Sequence, residues 1–215
     1  MRSEWVPLSA SALITGAMSL VLAQMLNPSG SNQSPAKVLA IAGESSGQWM
    51  AMSVLFFGAA VGLVLGLPCI LSLFSGKGRR IAQVGVGLFS VGAIGLTGFS
   101  ALMLMYRALA VNEAVDPALV DNVVNDTGLK TMLLVWTGGF LGGVALIAIA
   151  LFRSKTTSVW VPGLLVAFLL VQLIPLSGGR VVAALGLVAF AASLTGIATT
   201  ATSVKKQTRG LAPVP

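Results

Sequence analysis

Six long apolar runs, separated by loops whose charges sort by side, constrain this chain more than any other feature. They cover residues 6–25, 50–74, 81–106, 130–152, 159–176 and 181–202. Each is close to or above the ~20 residues that a helix needs to cross a ~30 Å hydrocarbon core. Lipid offers no partner to a bare backbone N–H or C=O, so an isolated apolar segment there must be helical. The dyad alternation of a barrel strand is absent. The expected fold is all-α: a multi-pass integral membrane protein, with one six-helix transmembrane domain over 1–204 and a basic tail at 205–215. The fifth run is short and holds Pro162 and Pro175, which predicts a tilted or partly re-entrant segment.

Composition agrees. Hydrophobic residues make up 56% of the 215 residues and charged residues 9%, against about a quarter charged in a soluble domain. So little charge cannot cover a water-facing surface, and the lipid bilayer is the expected partner of most of the chain. The net charge of +7 does not imply nucleic acid. The basic residues flank the spans, with no basic patch interleaved with aromatics.

The sorting of charge gives an orientation. One set of loops and ends holds Arg2, Lys77, Arg79, Arg80, Arg153, Lys155, Lys205, Lys206 and Arg209, with Glu4 as its only acid. The other holds Lys37, Arg107, Lys130 and Arg180 together with Glu44, Glu113, Asp116, Asp121 and Asp126. By the positive-inside bias the first set is cytoplasmic, so both termini are inside, and six spans agree in placing both on one side. The expected location is the cell membrane. Trp5, Trp49 and Trp160 stand at span ends, as interfacial anchors do. Arg2 and the small residues Val21 and Ala23 resemble a secretory signal, but the apolar stretch is as long as a full span and reads as an uncleaved first helix.

Two outer loops, about 26–48 and 107–129, are longer than a simple connection needs. Each holds a helix start, Ser34 before Pro35 and Asp116 before Pro117. After Asp116, Leu119, Val120, Val123 and Val124 alternate with Asp121, Asn122, Asn125 and Asp126 at helical spacing, and Gly128 is placed to end the turn. Both loops should therefore carry short amphipathic helices along the outer surface, the one at 36–42 weaker. Asp116, Asp121 and Asp126 fit no EF-hand spacing and read as a solvated face. Asn32-Gln33-Ser34 and Asn125-Asp126-Thr127 are sequons, relevant only in a glycosylating host.

Chemistry is harder to place. The chain has no histidine and one cysteine, Cys69, which removes His-based metal or haem ligation and internal disulfides. Cys69, beside Pro68, reads as a small buried hydrophobe. No Asp, Glu, Lys or Arg lies near the middle of a span, where ion-coupled transporters place one. No nucleophile and base are paired. The expectation is a non-enzymatic protein without cofactors.

Small residues four apart recur instead: Gly62 and Gly66; Ala93, Thr97 and Ala101; Ala192, Gly196 and Thr200; and the doubled set Gly138, Gly139, Gly142 and Gly143. Such grooves let helix backbones approach closely in lipid. The four glycines of the fourth span are the candidate interface for a membrane-protein partner or a second copy, with Trp136 at its border. Packing against the second or third span of the same chain is the competing possibility. The leading functional expectation is an accessory, scaffold or assembly subunit that works by helix packing.

The alternative is a small transporter or solute-binding module for a neutral or apolar ligand. Gln172, a few residues before Pro175, is its candidate cavity residue, because a broken span frees backbone carbonyls. In size and topology the chain is similar to the substrate-capture subunits of energy-coupling-factor vitamin transporters. Those dock through small residues in their first helix, which Ala12 and Gly16 match loosely. The resemblance is one of shape: the outer loops carry no aromatic-rich contacts of the kind a vitamin site requires.

Overall fold

The computed structural model describes residues 5–29, 33–76, 78–112, 116–173 and 179–210. Among them all regular structure is helical. The helices are α1 (Trp5–Leu26), α2 (Pro35–Glu44), α3 (Ser46–Ser72), α4 (Arg79–Val111), α5 (Pro117–Val124), α6 (Thr127–Ser154), α7 (Trp160–Leu173) and α8 (Gly179–Gly210). Five stretches are long and apolar enough to cross a membrane: α1, α3, α4, α6 and Val181–Ser203 within α8. The chain thus has the helices of a multi-pass membrane protein. The run expected as a fifth span gives a shorter helix. At 14 residues, α7 extends roughly 21 Å at 1.5 Å per residue. Pro162 lies in its first turn, where a missing N–H costs little. Pro175 lies outside the described residues.

The long helices form a closed ring in the order α1, α3, α4, α6, α7, α8, with α8 returning to α1. Neighbours run antiparallel, since Leu13 meets Gly66 while Gly16 meets Gly62. Glycine sets the closest seams. A Cβ on Gly16 would stand 2.6 Å from the Leu63 backbone nitrogen, and one on Gly62 would stand 2.7 Å from Gly16 Cα. Without a hydrophobic drive between helices in lipid, such backbone approach is what supplies contact. Polar bonds tie other seams. Ser100 Oγ donates to Ser53 O at 2.8 Å between α3 and α4. Ser193 Oγ donates to Val161 O at 2.7 Å between α7 and α8.

Both short helices lie at one end of the ring. Ser34 caps α2 by accepting from Lys37 N at 3.4 Å, with Pro35 at the first helical position. Tyr106 Oη donates to Pro35 O at 3.0 Å and Arg107 Nε donates to Ser46 O at 2.8 Å, tying this end to α4. α5 follows Asp116 and packs on α2. Gly128 does not end α5: Asp126 accepts from Leu129 N at 2.9 Å and caps α6, so Gly128 is already helical. A carboxylate at a helix start satisfies an orphan amide and favours the dipole, which outweighs the stop signal of the glycine.

Trp49 is a second difference. It is 1% exposed, stacks on Tyr106, and donates from Nε1 to Met103 O at 2.9 Å. Its N–H finds a carbonyl of α4 rather than the membrane interface, so it is a core residue. Trp5 and Trp160 are 68% and 53% exposed, as anchors would be.

Candidate functional site

α6 places large side chains on the face turned into the ring: Leu133, Trp136, Thr137, Phe140 and Leu141, at spacings of three and four that share one side of a helix. α7 adds Phe168 and Gln172, and α1 adds Leu20 and Gln24, each pair one turn apart. With Phe56 of α3, Gly92, Gly95, Leu96 and Phe99 of α4, and Leu187 of α8, they enclose a cavity of about 370 Å³. Every helix of the ring contributes. The volume falls in the range of small-molecule sites, roughly 300–1,000 Å³.

Packing explains where the cavity stops. Phe89, Phe140, Phe168 and Phe190 form an aromatic cluster from α4, α6, α7 and α8, with ring centroids 4.8 Å apart for Phe168 and Phe190 and 4.9 Å for Phe89 and Phe140. Phe140 and Phe168 are both wall and plug, so the cluster closes one end. On another wall Phe56 meets Phe99 edge-on at 5.6 Å. The cavity lies in the half of the ring toward α2 and α5, near the C-terminal ends of α1 and α7. Thr137 and Gln172 are exposed and mark its rim at the α6–α7 seam, where adjacent ring helices touch least.

The lining is apolar apart from a few groups that converge on it. The side-chain amides of Gln24 and Gln172, the Trp136 indole N–H and the Thr137 hydroxyl have no hydrogen-bond partner among the described residues. Thr137 and Gln172 are exposed and Gln24 and Trp136 half-buried, so these groups are open to an occupant that bonds them. Among the described residues no Asp, Glu, Lys or Arg lines the space. An ionised ligand would find no counter-charge among them.

Gln172 is among the residues that line the cavity, at its rim; Pro175 lies outside the described residues. The four glycines of α6 divide. Gly139 and Gly143 pack on α4: a Cβ at Gly139 would be 3.1 Å from Leu88 O, and one at Gly143 would strike the Phe89 backbone nitrogen. The Gly138 and Gly142 positions meet no described atom within 4 Å and face away from the fold. Gly95 and Gly98 of α4 are flattened against Trp136, and a Cβ at Gly95 would collide with its indole. Among the described residues no group of His, Cys, Asp and Glu is arranged to hold a metal. Sequence reasoning missed the aromatic walls, because an aromatic in an apolar run has no periodic mark that separates cavity from core.

Compared with known proteins, the chain matches no family model, and neither a curated protein nor a solved structure resembles it.

Proposed function

We propose that this protein is a cell-membrane module that binds a neutral, ring-bearing amphipathic molecule in the cavity between its six ring helices. The observation that carries this reading is an apolar, aromatic-walled space of about 370 Å³ bordered by four polar side chains that have no partner among the described residues. Aromatic walls favour a flat ligand through stacking. Gln24 and Gln172 would bond its polar edge, and an uncharged lining selects against ions. In the same proposal all six ring helices cross the bilayer, with both termini in the cytoplasm and α2 and α5 outside, as the distribution of Lys and Arg implies. Thiol labelling from outside should then modify Asp121→Cys and spare Arg79→Cys; the reverse pattern sinks the orientation.

Protein purified from its native membranes should carry a neutral small molecule, recoverable by organic extraction and visible by mass spectrometry. The Gln24→Leu/Gln172→Leu double variant should retain about tenfold less, given roughly 0.5–1.5 kcal/mol for each neutral hydrogen bond. An extract holding bulk lipid alone, or equal amounts from both proteins, counts against the reading.

A second reading, an assembly or scaffold subunit that docks a partner helix or another copy, is favoured by one observation. Gly138 is exposed and Gly142 half-buried on the outer face of α6, and a Cβ at either would meet no described atom within 4 Å.

A further inference from the structure

The opposite end of the ring holds a feature that the cavity does not use. Gly78 precedes α4 with φ +88°, a left-handed conformation that glycine adopts without strain. A Cβ there would stand 3.1 Å from Ala150 O, so glycine also lets this turn settle on the last turns of α6. That contact brings Arg79 and Arg80 of α4 beside Arg153 of α6, around a depression of about 430 Å³. All three arginines are exposed. Among the described residues, none of their guanidinium groups has an ion pair or a hydrogen bond.

The backbone adds donors. Gly78 caps α4 without a side-chain bond. Arg79 N donates to Gly76 O and Ala82 N to Gly78 O, but Arg80 N and Ile81 N, at the depression, have no partner among the described residues. The described acids Glu44, Asp116 and Asp126 sit at the other end, beside α2 and α5. The site therefore joins three forked cations with the start of a helix, a chemistry suited to a phosphate group.

Position decides which phosphate. Below Arg80 on the same face of α4 come Val84 and Leu88, 58% and 40% exposed. One turn from Arg153 on α6 comes Ile149, 51% exposed. Residues four apart lie one above another on a helix, so apolar stripes descend from the arginines along two packed helices. We propose that this depression holds the phosphate headgroup of an anionic phospholipid, whose acyl chains follow those stripes.

Native mass spectrometry of the full-length protein in mixed micelles of phosphatidylglycerol and phosphatidylcholine tests this. Wild type should retain phosphatidylglycerol preferentially, and inorganic phosphate in large excess should displace little of it. Arg80→Gln/Arg153→Gln should weaken retention roughly 30-fold, at about tenfold per 1.4 kcal/mol for two surface cations. Lys37→Gln/Lys130→Gln removes equal charge elsewhere and should leave retention intact. Equal losses in both double variants would reduce the site to net charge and overturn the proposal. Complete displacement by inorganic phosphate would assign the pocket to a free anion and overturn the lipid. If the arginine variant does not fold, wild-type protein decides: a headgroup photo-crosslinking phosphatidylglycerol must label 76–81 or 150–154, and labelling confined to other segments refutes the site.

Discussion

α6 meets its neighbours in two opposite ways. Toward α4 it presents Gly139 and Gly143, and the backbones come together. Further toward its N-terminal half, Trp136 and Phe140 still rest on Gly92, Gly95 and Gly98 of α4, but their rings, with Thr137 and Leu141, border a cavity, and Phe140 reaches Phe168 of α7 across it. Lipid is as apolar as leucine, so burial does not decide between these arrangements; contact does. The glycine seam maximises contact. The aromatic seam forfeits some of it, because atoms facing a void lose their dispersion partners. That loss, next to four polar side chains with no partner among the described residues, is what the proposed occupant would restore. One helix thus divides its surface between holding the ring shut and holding it open.

The contrast breaks first at Gly143. A leucine there would drive its Cβ into the Phe89 backbone, which cannot turn aside as a side chain can. Overpacking costs ~1–3 kcal/mol where neighbours can adjust, and rigid backbone puts Gly143→Leu at or beyond the top of that range. Size-exclusion chromatography and a thermal melt in detergent should show loss of the monodisperse protein or a steep fall in its midpoint. An unchanged midpoint would mean that α4 and α6 lie farther apart than the seam requires.

How much of this was legible beforehand depends on the level of organisation. The long helices were readable because crossing lipid demands an unbroken apolar run: α1, α3, α4 and α6 match the runs at 6–25, 50–74, 81–106 and 130–152 to within about five residues, while α8 contains the run at 181–202 but continues to Gly210, into the segment expected as a tail. The start of α2 was readable because Ser34-Pro35 is a local signal, capped as its chemistry suggests. The start of α6 was not, because Asp126 and Gly128 give opposing signals within three residues and the capping carboxylate prevails. Trp49 misled for a related reason. A tryptophan at a span end suits the interface, but α4 offers Met103 O within reach. The candidate cavity was half legible. Gln172 was visible as a polar residue in an apolar run, whereas Trp136, Phe140 and Phe168 resemble any core residue until the order of helices around the ring is known. That order depends on contacts between segments distant in sequence, which a single chain read linearly does not display.

The same ambiguity held for the glycines, and its resolution supplies the smaller test. Residues 138, 139, 142 and 143 fall on one broad side of a helix, but a neighbouring helix covers only part of that side. Gly142 lies one residue from Gly143, yet its Cβ direction is open. In Gly142→Leu the new side chain would meet lipid and cost nothing in packing. Replacing a helical glycine also restores backbone preference, a gain of up to roughly 0.8–1 kcal/mol. The melting midpoint of the monomer should therefore hold or rise slightly, against the collapse expected one position further along, and the amount of neutral ligand recovered should not change. A destabilised monomer would show that the two faces of α6 are not distinct. A folded monomer that sheds a copurifying partner or a second copy would place a helix on Gly138 and Gly142, and the scaffold reading would then stand beside the ligand reading, because the two occupy different faces of one helix and neither excludes the other.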